Sequence, residues 1–150
     1  MSRTHRAVQA FEHDFACSQS VLSAFADPAD MSRDTALRVA AGFGGGLARS
    51  GEICGAVAGA VMALSLKHCG TPAEEPLSKE QAYPAVREFL ARFRELHGTL
   101  QCRDLLGVDI GAPGGLERAR EQDLFKSRCP VFVRDAARIL EVLLPEAERP

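Results

Sequence analysis

The sequence has no Trp and a single Tyr, and its β-branched and aromatic residues rarely cluster. Sheets favour such residues, so their scarcity beside abundant Ala, Leu, Val and Gly predicts closely packed helices. An excess of positive charge is also missing. The formal net charge is −2, and the Arg residues are interspersed with Asp and Glu at helical spacing, the pattern of a solvated face. A nucleic-acid partner would find no electrostatic support, and none is expected. The longest apolar stretch, Ile53 to Leu66, falls well short of the ~20 residues a membrane span needs. Met1 to Gln9 carries charges and no apolar core of a secretory signal, so a cytoplasmic location is expected.

Several familiar site motifs are lacking. There is no C-x-x-C, hence no thioredoxin-type site or zinc-ribbon knuckle, and no C-x-x-C-H for covalent haem attachment. No Gly-Lys-Ser/Thr follows the Gly44-Gly45-Gly46 run, so a phosphate loop is not supported and a tight interhelical turn is the expected role. No Ser–His–Asp or paired-carboxylate arrangement can be argued. What the chain does have is five cysteines: Cys17, Cys54, Cys69, Cys102 and Cys129. In a compartment that keeps thiols reduced, five cysteines point to metal binding or redox chemistry more than to structural disulfides. The odd count leaves one thiol outside any set of pairs.

The apolar periodicity predicts a single all-α domain over residues 1–150, a compact helical bundle of about five to six helices. One long amphipathic helix is expected from His5 to Ala26, ended by Asp27-Pro28. A second should start near Ser32, before the glycine run. A third, apolar nearly all round, should run from Ser50 or Gly51 to about His68. Its small residues Gly55, Ala56, Gly59, Ala60 and Ala63 suit the centre of a bundle, and equally a homodimer contact. Thr71 to Leu77 reads as a linker containing the solvated Glu74-Glu75 pair. Ser78 and Gln81 form a capping-box pattern for a helix ending at Gly98. Its start is expected nearer Tyr83, because Pro84 fits only a first turn. A short helix follows, with Thr99 as N-cap and Gly107 as stop. Val108 to Arg120 is expected to be mostly loop, and a last helix fits Pro130 to Leu144.

On this reading Cys54 and Cys102 lie in the first turns of helices, and Cys129 precedes Pro130 as an N-cap. Helix N-termini stabilise anions and lower thiol pKa, so these three are expected to favour thiolate. Cys17 falls inside the first helix, where a buried thiol would be unremarkable. Cys69 lies at the far end of the helix that Cys54 opens, and reads as a bystander. His13, one turn before Cys17, reads as a surface residue more readily than as an extra ligand.

Phe43-Gly44-Gly45-Gly46 followed by Cys54-Gly55-Ala56-Val57-Ala58-Gly59 resembles the signature of a family of small redox-active proteins. They are named for their C…GCAxxG…C…C cysteine pattern. Cys17-Ser18-Gln19-Ser20-Val21-Leu22 looks like the first cysteine segment of that family, and Cys102 to Asp109 is similar to the third. Cys129, with Val133, Ala136-Ala137 and Leu140-Glu141 following, resembles the fourth. The resemblance implies a redox role carried by Cys17, Cys54, Cys102 and Cys129, with Cys69 outside the pattern. A more distant similarity, to the cluster-bearing domain of split-Soret cytochromes, implies an iron–sulfur centre. Their haem motifs are absent here.

Four cysteines satisfy an iron–sulfur cluster used for electron transfer or redox sensing, the reading ranked first. Thiol–disulfide exchange through a Cys pair without metal, Cys102 with Cys129, is the second reading. A structural four-cysteine zinc site is the third. Any of the redox readings requires a partner protein that the sequence does not name. Whether the chain is an oxidoreductase or an electron-transfer component is left open by the sequence.

Overall fold

The computed structural model describes residues 1–69 and 76–146. Among these, nine α-helices and two short 3-10 turns account for the regular structure, and a lone bridge between Ile53 and Gln101 is the only β pairing. The helices are α1 (Arg3–Glu12), α2 (Cys17–Phe25), α3 (Arg33–Ala40), α4 (Gly55–His68), α5 (Lys79–His97), α6 (Cys102–Leu106), α7 (Gly115–Glu121), α8 (Leu124–Ser127) and α9 (Cys129–Leu143). The all-α class agrees with the composition. The helix number exceeds five to six for two reasons.

First, the segment expected as one helix from His5 to Ala26 is two. The chain breaks at His13 to Ala16, where Asp14 takes a left-handed conformation with φ 69°. Asp tolerates that region better than most residues because its short polar side chain bonds locally. Ala16 then caps α2, its N–H donating to Gln19 Oε1 at 2.9 Å. Second, most of α7 falls within Val108 to Arg120, the stretch expected as loop, and α8 follows it in a segment for which no helix was expected. Their buried residues, Gly115, Ala119 and Leu124, are too few to register as a helical period.

Three helix starts also differ from expectation. α3 begins as expected, with Ser32 Oγ accepting from Thr35 N at 3.1 Å. α4 starts at Gly55 with Cys54 as its N-cap, because Ile53 and Cys54 are held extended, Cys54 N donating to Leu100 O at 2.8 Å. α5 starts at Lys79 and carries Pro84 in its second turn. Ser78 makes no side-chain cap bond. α6 is capped by Gln101, not Thr99, whose Oγ1 instead accepts from Gln101 N. The linker expected at Thr71 to Leu77, with its Glu74-Glu75 pair, lies largely outside the described residues.

The larger core is built by α1, α2, α4, α5 and α9, with Phe89, Phe93, Leu22, Leu64, Leu140 and Val21 fully buried. Truncating such a buried Phe to Ala typically costs about 3–5 kcal/mol. α4 packs on α2 through its small residues. A Cβ at Gly59 would come within 2.7 Å of the Ser18 carbonyl oxygen. The small-residue face of α4 is therefore taken up by α2 of the same chain. A second, smaller apolar cluster joins Cys102, Leu106, Ile110, Ala119 and Leu124. The two clusters meet where the cysteines lie.

Candidate cysteine site

Cys17 is the first residue of α2, Cys54 the N-cap of α4, Cys102 the first residue of α6 and Cys129 the first residue of α9. All four line one cavity of about 780 Å³. Cys17 and Cys54 belong to the larger core, whereas Cys102 and Cys129 belong to the smaller cluster. The cavity thus lies at the seam between the two. Cys69 is the C-cap of α4 and does not line it. His13 does not line it either; its ring Nδ1 lies 2.7 Å from Gln9 O on the exposed end of α1. All five cysteines are free thiols.

Two local devices bring the sulfurs inward. Gly55 has no Cβ because Cys17 Sγ occupies that space, with Phe43 O at 3.0 Å and Ser18 N at 3.2 Å from where a Cβ would stand. The glycine of the Cys54-Gly55 pair is thus what lets α2 and α4 meet at their N-termini. The second device is the glycine run, which is more than a tight turn. Gly45, Gly46, Leu47, Ala48 and Arg49 all have φ between 49° and 69°, a full left-handed turn. Ala48 N donates to Gly42 O at 2.9 Å, and Glu52 N donates to Gly46 O at 2.9 Å. Left-handed backbone costs an L-residue roughly 1–2 kcal/mol, and three consecutive non-glycine residues bear it here. Gly51 O anchors the far side, accepting from Arg103 N at 3.1 Å and Arg103 Nε at 3.0 Å. Cys102 N donates to Glu52 O at 2.7 Å. The glycine turn, the entry to α4 and the start of α6 are therefore tied into one unit.

The electrostatics overturn the expectation of thiolate-favouring helix starts. Burial pushes all four thiols up. Cys102 and Cys129 are raised to about 12, first by burial and then by the nearby Cys17. Asp109 also raises Cys102, and Arg103 opposes it. Cys54 is raised well above its ordinary value by burial and by Cys17, and Cys17 is raised by burial. Backbone amides work in the other direction. Those of Gly45, Ser18 and Ala56 lower Cys17, and those of Ala56 and Val57 lower Cys54, although Cys54 closes no capping bond in full geometry. Desolvation penalises a buried anion by more than a few amide dipoles return. α6, only five residues long, supplies little dipole to Cys102. Cys17 lies near enough to each of the other three for its ionisation to raise theirs.

The donor set fits a cofactor that takes four thiolates. Among the described residues no three His, Cys, Asp or Glu side chains converge tightly enough to hold one metal ion. All four cysteines are nevertheless part of the lining of one cavity.

Helices that carry four cysteines at their starts, around a common cavity, define a helical four-cysteine protein. The chain belongs to the C_GCAxxG_C_C family, whose description reads "Putative redox-active protein (C_GCAxxG_C_C)" and whose profile matches residues 15–143. No curated protein and no solved structure matches the chain. Among the described residues, no helix is long and apolar enough to cross a membrane.

Proposed function

We propose that Cys17, Cys54, Cys102 and Cys129 hold an iron–sulfur cluster used for electron transfer or redox sensing. The observation that carries this reading is the meeting of four helix starts, each bringing one cysteine, around one cavity. When bound, such a cluster accepts and returns single electrons, with a potential tuned by hydrogen bonds to the sulfurs and by solvent exposure. The rest of the work falls to the chain. Gly55 leaves space for Cys17 Sγ, and the Gly45, Ser18 and Ala56 amides act on that sulfur. Four adjacent buried thiolates would repel one another without positive charge at their centre, and a cluster supplies it.

Two rivals fare less well. A single zinc ion would take the same four thiolates at about 2.3 Å from one point and would be structural, with no electron to carry. Thiol–disulfide exchange has Cys102 and Cys129 in one apolar cluster in its favour. It would oxidise both thiols to a disulfide, passing two electrons and two protons to a disulfide substrate. Burial raises both thiols, which disfavours the thiolate that attacks.

Anaerobic purification with a visible spectrum and iron and sulfide analysis tests the proposal. A coloured protein containing iron and sulfide in a fixed ratio to the chain is expected. Colourless, iron-free protein prepared in that way overturns it. Zinc in its place would return the structural-metal reading, and loss of two thiols per chain on mild oxidation would return exchange.

A further inference from the structure

The cavity is larger and more varied than four thiols require. At about 780 Å³ it falls in the range of organic ligand sites, about 300–1,000 Å³. Its lining also includes Phe15, Phe125 and Phe132 together with the exposed Arg49, Arg120 and Lys126; the Arg33 guanidinium stands 5.5 Å from the Phe15 ring centre, and Phe132 packs edge-on against His97. None of the three lining cations has a carboxylate or hydrogen-bond partner among the described residues. Glu12 and Asp14 also reach the lining, so it has three cations against two carboxylates.

Arg49 has a built seat. It ends the left-handed run at φ 62°. A Cβ on Gly45 would come within 2.8 Å of both Arg49 Cα and Cγ. The same Gly45 acts through its amide on Cys17. A costly backbone, held by a glycine, therefore links an unpaired guanidinium to the cysteine site. Strain of this kind persists where surrounding structure holds it, and it clusters at functional sites.

We propose that this cavity binds a small organic anion. Its flat apolar body lies against Phe15, Phe125 and Phe132, and its carboxylate or phosphate head sits at Arg49, Arg120 and Lys126. Aromatic rings offer stacking and apolar contact, and a guanidinium grips planar oxyanions in two-point geometry. The inference goes beyond the redox reading, and a group held by the thiols would share the cavity with the anion.

The test is calorimetric titration and ligand-detected NMR on the full chain, anaerobic and reduced, with and without bound cofactor. Benzoate, phenyl phosphate, benzyl alcohol and inorganic phosphate serve as probes. The two aryl anions should bind at least about tenfold more tightly than the neutral alcohol or the bare phosphate, a difference of about 1.4 kcal/mol. Arg49→Ala and Arg120→Ala should each weaken the aryl anions about tenfold, and Arg49→Lys should recover part of the loss. Arg138→Ala, an exposed change away from the cavity, should have no effect. The replaced side chains are solvent-exposed, and unchanged circular dichroism confirms that each variant is folded. Equal binding of alcohol and anions, no binding of any probe, or indifference to both Arg variants overturns the proposal. Iron-free protein that still binds aryl anions would sink the cluster alone. Iron-loaded protein that binds none would sink this proposal alone.

Discussion

The missing Cβ of Gly55 and the sulfur of Cys17 claim the same space. Gly55 opens α4, so Gly55→Ala would ordinarily improve helix propensity by up to about 1 kcal/mol. Here the new methyl must displace Cys17 Sγ, with the Phe43 carbonyl also close at 3.0 Å. Overpacking of this sort costs about 1–3 kcal/mol. The expected result is a lower denaturation midpoint together with reduced cofactor content. Gly59→Ala, which presses on the Ser18 backbone away from the sulfur, should lower stability but keep more of the cofactor. Higher stability with full cofactor in Gly55→Ala would contradict the packing described.

The raised thiols set a pH dependence for the cofactor-free protein. A thiol whose folded value is raised from 9.0 to about 12, as at Cys102 and Cys129, holds its proton more tightly when folded. Its contribution to stability is complete below about 9 and is lost as pH rises through about 12. Urea midpoints of cofactor-free protein should therefore stay level up to about pH 9 and fall above it. Loading the cofactor runs the other way. Four neutral thiols must give up their protons to become ligands, so loading near neutral pH should release protons and strengthen as pH rises. Proton release measured in weakly buffered solution checks this; cofactor loading without it would mean that the thiols were already ionised.

The cysteine pattern grouped the same four residues that line the cavity, because the motif couples a cysteine to the glycine that makes room for its neighbour. Other parts of the architecture were hidden for identifiable physical reasons. The break before Cys17 contains no Gly or Pro, only an Asp in a left-handed conformation, so periodicity ran through it. That error placed Cys17 inside a helix, when it starts one like the other three. The glycine run announced a turn, but nothing in Leu47, Ala48 or Arg49 announces left-handed backbone. Hydrogen bonds within the loop hold it, from Ala48 N to Gly42 O, Arg49 N to Gly44 O and Gly51 N to Gly45 O. The direction of the thiol shifts is not legible in the sequence, because helix termini are visible there and burial is not. α7 and α8 each bury too little for a periodic signal, since they close a small cluster instead of a bundle face.

The left-handed turn gives a second stability test. Ala48 has φ 49°, where an L-residue is strained and glycine is not. Ala48→Gly should raise stability by up to about 1 kcal/mol, offset in part by the greater freedom of the unfolded chain. Gly45→Ala should do the reverse, losing about 1–3 kcal/mol, because it meets both unfavourable φ and the Arg49 backbone. Chemical denaturation of the two variants side by side decides it. If both changes shift the midpoint in the same direction, the left-handed turn is not what the sequence adopts in solution.

Single Cys→Ser replacements give the sharpest division among the five cysteines. Serine keeps the size of the side chain but is a poor cluster ligand, so each of Cys17→Ser, Cys54→Ser, Cys102→Ser and Cys129→Ser should lose most bound iron. Cys69→Ser should bind iron like the parent, since Cys69 ends α4 outside the cavity lining. Iron and sulfide content per chain, measured on anaerobically purified variants, separates the two groups. Full iron in any of the four would remove that residue from the ligand set. Iron lost in Cys69→Ser would show that the cofactor is held elsewhere than in the cavity where the four helices begin.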